Sequence, residues 1–195
     1  MAKPNRNAPR RSGGTGKLLL GILLGFVLTV GGIVAYFYLG RPPVAVTDVA
    51  PMWEHLIGPI ALHTRTAAEQ KEPPFPANED VFEAGAHTYR SECAQCHGTP
   101  SHDSPLGRQM APRAQQFFSA RDRRATAAQA PGELYWKTAF GIRRSGMPAY
   151  HRALSDTQMW QTSLLLHSVG DDLPDPVISL LNQGAPAAQP TVVKP

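Results

Sequence analysis

Only two of the 195 residues are cysteine, and only 17% are charged. Two thiols cannot build a disulfide scaffold, and they cannot supply a four-thiolate zinc or iron–sulfur site. No stretch alternates apolar and polar residues at period two, so the sequence offers no sheet. The 17 glycines and 19 prolines follow no fixed period, which excludes collagen and solenoid repeats. Net positive charge is confined to one place. The net charge is +4, yet residues 1–17 carry Lys3, Arg6, Arg10, Arg11 and Lys17 without one acid. The remainder is close to neutral, which is no surface for a polyanion, and nucleic acid is excluded as a partner. Gly16-Lys17 faintly echoes a phosphate-binding loop, but Arg11 stands where that loop needs Gly, and Leu18 where it needs Ser or Thr.

What is present begins with an uncharged run from Leu18 to Gly40. At about 1.5 Å per residue, a helix of this length crosses the roughly 30 Å hydrocarbon core of a bilayer. Lys17 and Arg41 close the run, and Tyr36, Phe37 and Tyr38 gather at one end, where a membrane interface favours aromatic rings. A cleaved signal peptide is the rival reading. Its apolar core would be shorter, about 7–15 residues, and no clear Ala-x-Ala site follows Arg41. The expectation is one transmembrane helix, residues 18–40, in the cytoplasmic membrane. Five cations before it against one just after it place the basic tail, residues 1–17, in the cytoplasm and residues 41–195 on the periplasmic or outer face. Gly21 and Gly25 form a small-xxx-small pair that could pack helix on helix, although small residues are common in any span.

Residues 41–77 read as a connector, opened by Pro42 and Pro43 and punctuated by Pro73, Pro74 and Pro76. Within it Met52, Trp53, Leu56, Ile57, Ile60 and Leu62 could form a short amphipathic piece lying on the membrane. His55 and His63 fall about 80° apart on a helix, so they read as solvated or interfacial rather than as a ligand pair. As a flexible chain of roughly 5–6 Å × √n, the connector would reach on the order of 30 Å.

From Asn78 the pattern turns helical. Asn78 is a good N-cap, Glu79 and Asp80 suit the first turn, and Val81, Phe82, Gly85 and Tyr89 recur at helical spacing up to Cys93. A second helix spans 132–142, entered at Pro131. A third starts at a Ser155/Gln158 capping box and runs to Gly170. The expected fold is all-α, with the folded domain at 78–170. Beyond it, 171–195 reads as a C-terminal tail in which only Val177-Ile178-Ser179-Leu180-Leu181 could add a helical turn. Its end is too poor in bulky residues to pack and reads as disordered.

Both cysteines fall in Cys93-Ala94-Gln95-Cys96-His97, and this spacing is that of covalent haem attachment. Two thiols three residues apart on a helical turn can reach both vinyl groups of one haem. The adjacent His then presents an imidazole nitrogen to the iron. Three alternatives stand beside it. A dithiol redox motif wants a βαβ setting. A zinc site would need His87 or His102 as a fourth ligand. Two structural thiols would share the spacing only by chance, and bare dithiols oxidise outside the cytoplasm. One covalently bound haem c is the cofactor expected, held by Cys93, Cys96 and His97. Candidates for the opposite side of the iron are Met110, Met147, Met159, His102, His151 and His167. Met147 is preferred, because Gly146 admits close backbone approach and Pro148 favours an extended residue before it. Met159 reads as core, Met110 as the rival, and His151 as a residue of the haem rim or of solvent.

Residues 78–170 resemble a membrane-anchored, mono-haem class I cytochrome c, similar to the domains of bacterial respiratory chains and of haem–copper oxidase subunits. Family members place Gly eight and an aromatic four residues before the first Cys, here Gly85 and Tyr89. Their last helix follows Leu-Ser-Asp with an aromatic soon after, here Leu154-Ser155-Asp156 and Trp160. The resemblance implies that the first and last helices cross at Gly85, with Leu164 or Leu165 against Gly85 and Tyr89. Gly141-Ile142-Arg143 and Gly146-Met147-Pro148-Ala149-Tyr150 resemble the distal loop. Met110-Ala111-Pro112 resembles the segment whose proline carbonyl accepts the His97 Nδ1–H, making Pro112 the expected acceptor. Arg143 or Arg144 could pair with a haem propionate, and Phe82, Tyr89, Phe117, Trp136, Phe140 and Trp160 are expected to pack in the domain. Arg121, Arg123 and Arg124 read first as exposed loop charges and second as a docking patch for an acidic partner. The implied function is one-electron transfer rather than enzymatic turnover, with redox proteins of a membrane chain and the lipid bilayer as partners. A haem enzyme or sensor would need an open position on the iron. A third reading makes the domain a fixed subunit of a larger oxidoreductase.

Overall fold

A computed structural model describes residues 14–183; most of the basic tail and residues 184–195 lie outside the described residues. The chain divides into two compact units, residues 1–51 and 52–195. In the first, α1 (Gly14–Leu39) is long and apolar enough to cross a membrane, and it ends where Gly40 N–H donates to Tyr36 O at 2.9 Å. After it, the Asp48 carboxylate accepts from the Val44 and Ala45 N–H groups, both at 2.8 Å, and closes a turn.

The second unit is all-α among the described residues, with no strand beyond a single Thr99–His102 bridge. Its elements are α2 (Met52–Glu69), α3 (Glu79–Glu92), α4 (Ala94–His97), α5 (Pro105–Gln109), α6 (Arg123–Ala127), α7 (Pro131–Phe140), α8 (Asp156–His167) and α9 (Asp175–Asn182). The starts follow local chemistry. Asn78 Oδ1 accepts from Val81 N–H at 2.9 Å, Pro131 opens α7, and Ser155 with Gln158 completes the capping box of α8. α7 stops at Gly141, whose φ of 67° suits glycine and reverses the chain.

α3 and α8 cross at Gly85. A Cβ there would lie 2.5 Å from Gln161 O, so the contact is backbone on backbone at Gln161 and Thr162, a turn earlier than the expected leucines. Leu165 is fully buried in the same cluster as Tyr89, Ala86, Phe117 and Leu166. A second cluster joins Tyr135, Ala139, Met159 and Trp160, with Tyr135 stacked on Trp160 at 4.2 Å and donating to Asp156 Oδ1 at 2.5 Å. Met159 is core, as its apolar position suggests. Phe140 differs from expectation: at the end of α7 its ring is 55% exposed.

Two further pieces join this unit. Residues 175–182, read from sequence as tail, form α9, and its i, i+4 pair Val177 and Leu181 is fully buried against α3. Burying two such side chains contributes about 1.5–3 kcal/mol each. Within the connector, α2 docks on α7: Thr66 is fully buried and Trp136 Nε1–H donates to Glu69 Oε2 at 2.8 Å. A Cβ on Gly132 would run into the Lys71 carbonyl, so the chain after α2 also lies flat on α7.

Candidate haem-attachment site

The Cys93–His97 segment is one tight turn laid across the end of α3. Cys96 N–H and His97 N–H both donate to Cys93 O, at 3.1 and 2.9 Å. The turn ends at Gly98, where φ is 75°, and the buried Tyr89 hydroxyl donates to Gly98 O at 2.8 Å. Both cysteines are free thiols. Burial, with Glu92 and Cys96 nearby, pushes the Cys93 thiol up to about 12, and burial raises Cys96 as well.

His97 stacks on Phe117, with centroids 4.2 Å apart, and donates from Nδ1 to Gln115 O at 2.7 Å. Burial lowers its pKa against the opposing pull of that bond, so the ring is held neutral with Nε2 left as the bare nitrogen. The acceptor is therefore Gln115 and not Pro112, which is exposed. The reason lies in Asp122. Its Oδ2 accepts from Arg113 at 2.6 Å and from Gln116 N–H at 2.9 Å, which draws residues 113–116 inward three positions beyond the proline.

The fully buried Gln116 then ties that segment to the thiol turn. Its Nε2 donates to Cys96 O and Ala114 O, both at 3.0 Å, and its Oε1 accepts from Ser104 N–H at 2.6 Å. Ser104 in turn donates to Gln95 O, and Gly107 sits so close under Cys96 that any Cβ would strike the Cys96 carbonyl. None of Gln115, Gln116, Asp122 or Gly107 was singled out from sequence. One signal existed: Asp122 is the sole acid between Asp103 and Glu133, set among Arg113, Arg121, Arg123 and Arg124.

The Met147 loop is a separate hairpin. Ile142 N–H donates to Met147 O at 3.4 Å, Met147 N–H to Ser145 Oγ at 3.1 Å, and Tyr150 N–H to Thr138 O at 3.1 Å. Tyr150 OH donates to Glu92 O at 2.8 Å, which fastens this loop to the residue before Cys93. Met110 packs here too, its sulfur 3.0 Å from where a Cβ on Gly146 would stand, so this rival thioether touches the residue before Met147. Arg143 is exposed on the turn.

The remaining histidines are elsewhere. His151 Nδ1 bonds Ala139 O at 3.0 Å, His167 Nδ1 bonds Gln129 O at 2.8 Å, and His55 and His63 are exposed on α2. His102 Nδ1 faces the Thr99 and Ser101 hydroxyls, and His87 is exposed. Among the described residues no three His, Cys, Asp or Glu side chains gather in one place.

The all-α fold and the thiol–imidazole turn are similar to those of a c-type cytochrome domain. Residues 80–163 match the family described as cytochrome c oxidase, cbb3-type, subunit III. The match covers a little under half of the chain. No curated protein matches it.

Proposed function

We propose that this chain is a membrane-anchored cytochrome that carries single electrons on the periplasmic or outer face of the cytoplasmic membrane. The observation behind the reading is the turn itself: two unpaired thiols beside an imidazole whose Nδ1 is already engaged by Gln115 O. These residues fit a haem c. Cys93 and Cys96 would attach it by thioethers, His97 through Nε2 and Met147 would ligate its iron, and Arg143 would pair with one of its carboxylates. When bound, the group supplies a one-electron couple at iron, and a methionine ligand raises its potential. The protein's own residues do the positioning. Gln115 O fixes the tautomer and tilt of His97. Ser145 holds the Met147 loop, and Tyr150 joins that loop to the end of α3, the helix that leads into the Cys93 turn.

The apolar α1 behind five cations supports a single-pass anchor with its N-terminus in the cytoplasm. Redox proteins of a respiratory chain are the partners that the matched family suggests. A second reading, a subunit fixed in a larger oxidoreductase, is favoured by the docking of α2, which shortens the free tether.

The test is direct. Haem should stay with the polypeptide through denaturing electrophoresis, and stopped-flow mixing should reduce and reoxidise the protein without rapid consumption of peroxide. Haem stain lost from the band defeats the attachment. Rapid peroxide turnover at native ligation defeats the carrier.

A further inference from the structure

α2 has two faces. Leu62, Arg65, Thr66 and Glu69 make the face that meets α7, where Thr66 is fully buried, Glu69 holds the Trp136 indole at 2.8 Å, and the Arg65 guanidinium lies 5.6 Å from the Trp136 ring centre. At about 100° per residue, that face is centred roughly 160° around the helix from Met52, Trp53, Leu56, Ile57 and Ile60. These five side chains are 57–78% exposed. With α2 docked through Glu69 and Thr66, the stripe cannot turn inward onto its own domain. Five large apolar residues in one line exceed the scattered exposed ones that any surface carries.

We propose that this stripe lies in the headgroup region of the bilayer, so that α2 is held between the membrane and α7 and fixes how the cytochrome domain faces the surface. The inference rests on the single-pass anchor read above. Residues 40–51 separate α1 from α2, and even fully extended they span at most on the order of 40 Å. With α1 in the bilayer, the link lets the stripe reach the membrane surface and bounds how far it can move away. It also occupies the half of α2 nearer to α1 in sequence and gives way at Leu62 to the docking face. Trp53 among aliphatic side chains, opposite a polar face, is the composition of a helix that sinks about 5–10 Å into an interface.

The test uses the full, haem-loaded chain in vesicles of phosphatidylcholine and phosphatidylglycerol. A photoreactive benzophenone side chain replaces Ile57 or Ile60, with His55 as the polar-face control and Val27 as the probe of α1. After irradiation, mass spectrometry identifies what each position has attached to, and an unchanged haem spectrum certifies each variant. Lipid adducts at Ile57 and Ile60, severalfold above His55, are expected, together with adducts at Val27. Adducts at Val27 with none above the His55 level in α2 overturn the inference and leave the anchor standing. No lipid adduct at Val27 overturns the anchor and the inference with it. Attachment of Ile57 or Ile60 to polypeptide, whether a second copy or another protein, overturns it as well, because the stripe is then a protein interface.

Discussion

Gly85→Ala adds one methyl group where α3 and α8 have no room for it. The new carbon would lie 2.5 Å from Gln161 O, 2.8 Å from Gln161 C and 3.2 Å from Thr162 N. Carbon meets its neighbours comfortably at about 3.5–4.0 Å, so the helices must part by on the order of 1 Å. All three obstacles are backbone atoms, which cannot swing aside as a side-chain tip can. Two effects compete. Alanine is better than glycine inside a helix by about 1 kcal/mol. Overpacking costs about 1–3 kcal/mol, and the upper end applies, because parting the helices also loosens Tyr89, Ala86, Leu165 and Leu166 in the cluster beside the crossing. A net loss of about 1–2 kcal/mol follows. At about 4–8 °C per kcal/mol for a domain of this size, Tm should fall by roughly 5–15 °C. Thermal unfolding of the haem-loaded protein by circular dichroism measures it. Gly58→Ala is the control, since nothing lies within 4 Å of its Cβ position in α2, and its Tm should hold or rise slightly. A Gly85→Ala protein that melts at or above the wild-type temperature refutes the crossing argument.

Met147→Ala should keep haem attached yet let the reduced protein bind carbon monoxide and lower its potential, whereas Met110→Ala should leave both nearly unchanged; the reverse pattern would exchange the roles of the two methionines. Burial pushes the Asp122 carboxyl up, but the Gln116 N–H, Arg113 and Arg121 outweigh it and hold its pKa below the usual value. A depressed carboxylate stabilises above its unfolded pKa of about 4 and loses that contribution as pH falls. The Tm gap between wild type and Asp122→Asn should therefore be widest near neutral pH and close in acid. A gap that widens on acidification would reverse the assigned sign. Deleting residues 1–51 should leave Tm close to that of the full chain, whereas deleting residues 1–72 uncovers Trp136 and should lower it; equal Tm values would mean that α2 contributes nothing to the fold.

The parts of the site that were legible in the sequence are those written locally. Asn78, Ser155 with Gln158, and Cys93-Ala94-Gln95-Cys96-His97 each work within one turn, so spacing alone exposes them. The proximal acceptor is different in kind. A backbone carbonyl leaves no mark in the side-chain sequence, and Gln115 lies 18 residues from His97. Pro112 was the expectation because a resemblance carries over a register, and the register slipped where Asp122 gathers Arg113 and Gln116. α9 was hidden for another reason. Eight residues make a marginal helix in isolation, and Val177 and Leu181 acquire their value only from α3. The apolar stripe of α2 was readable, but its docking face was not, since Glu69 meets Trp136 at a distance of 67 residues.

That docking bears on the choice between a roaming carrier and a fixed subunit. A flexible connector over residues 41–77 would reach on the order of 30 Å, but α2 is helical and packed on α7, which leaves residues 40–51 as the free link. At roughly 5–6 Å × √n, such a link reaches about 20 Å. The same α7 that receives α2 also carries the loop with Met147. Trp136, under Arg65, lies 5.2 Å from Phe140, which lies 6.1 Å from His151, and the His151 and Tyr150 N–H groups donate to Ala139 O and Thr138 O. Whatever orients α2 therefore orients the Met147 loop through a single ten-residue helix. If α1 anchors the chain as proposed, a short link and a rigid coupling favour a partner met in one orientation, as within a fixed assembly, over a carrier that searches the bulk.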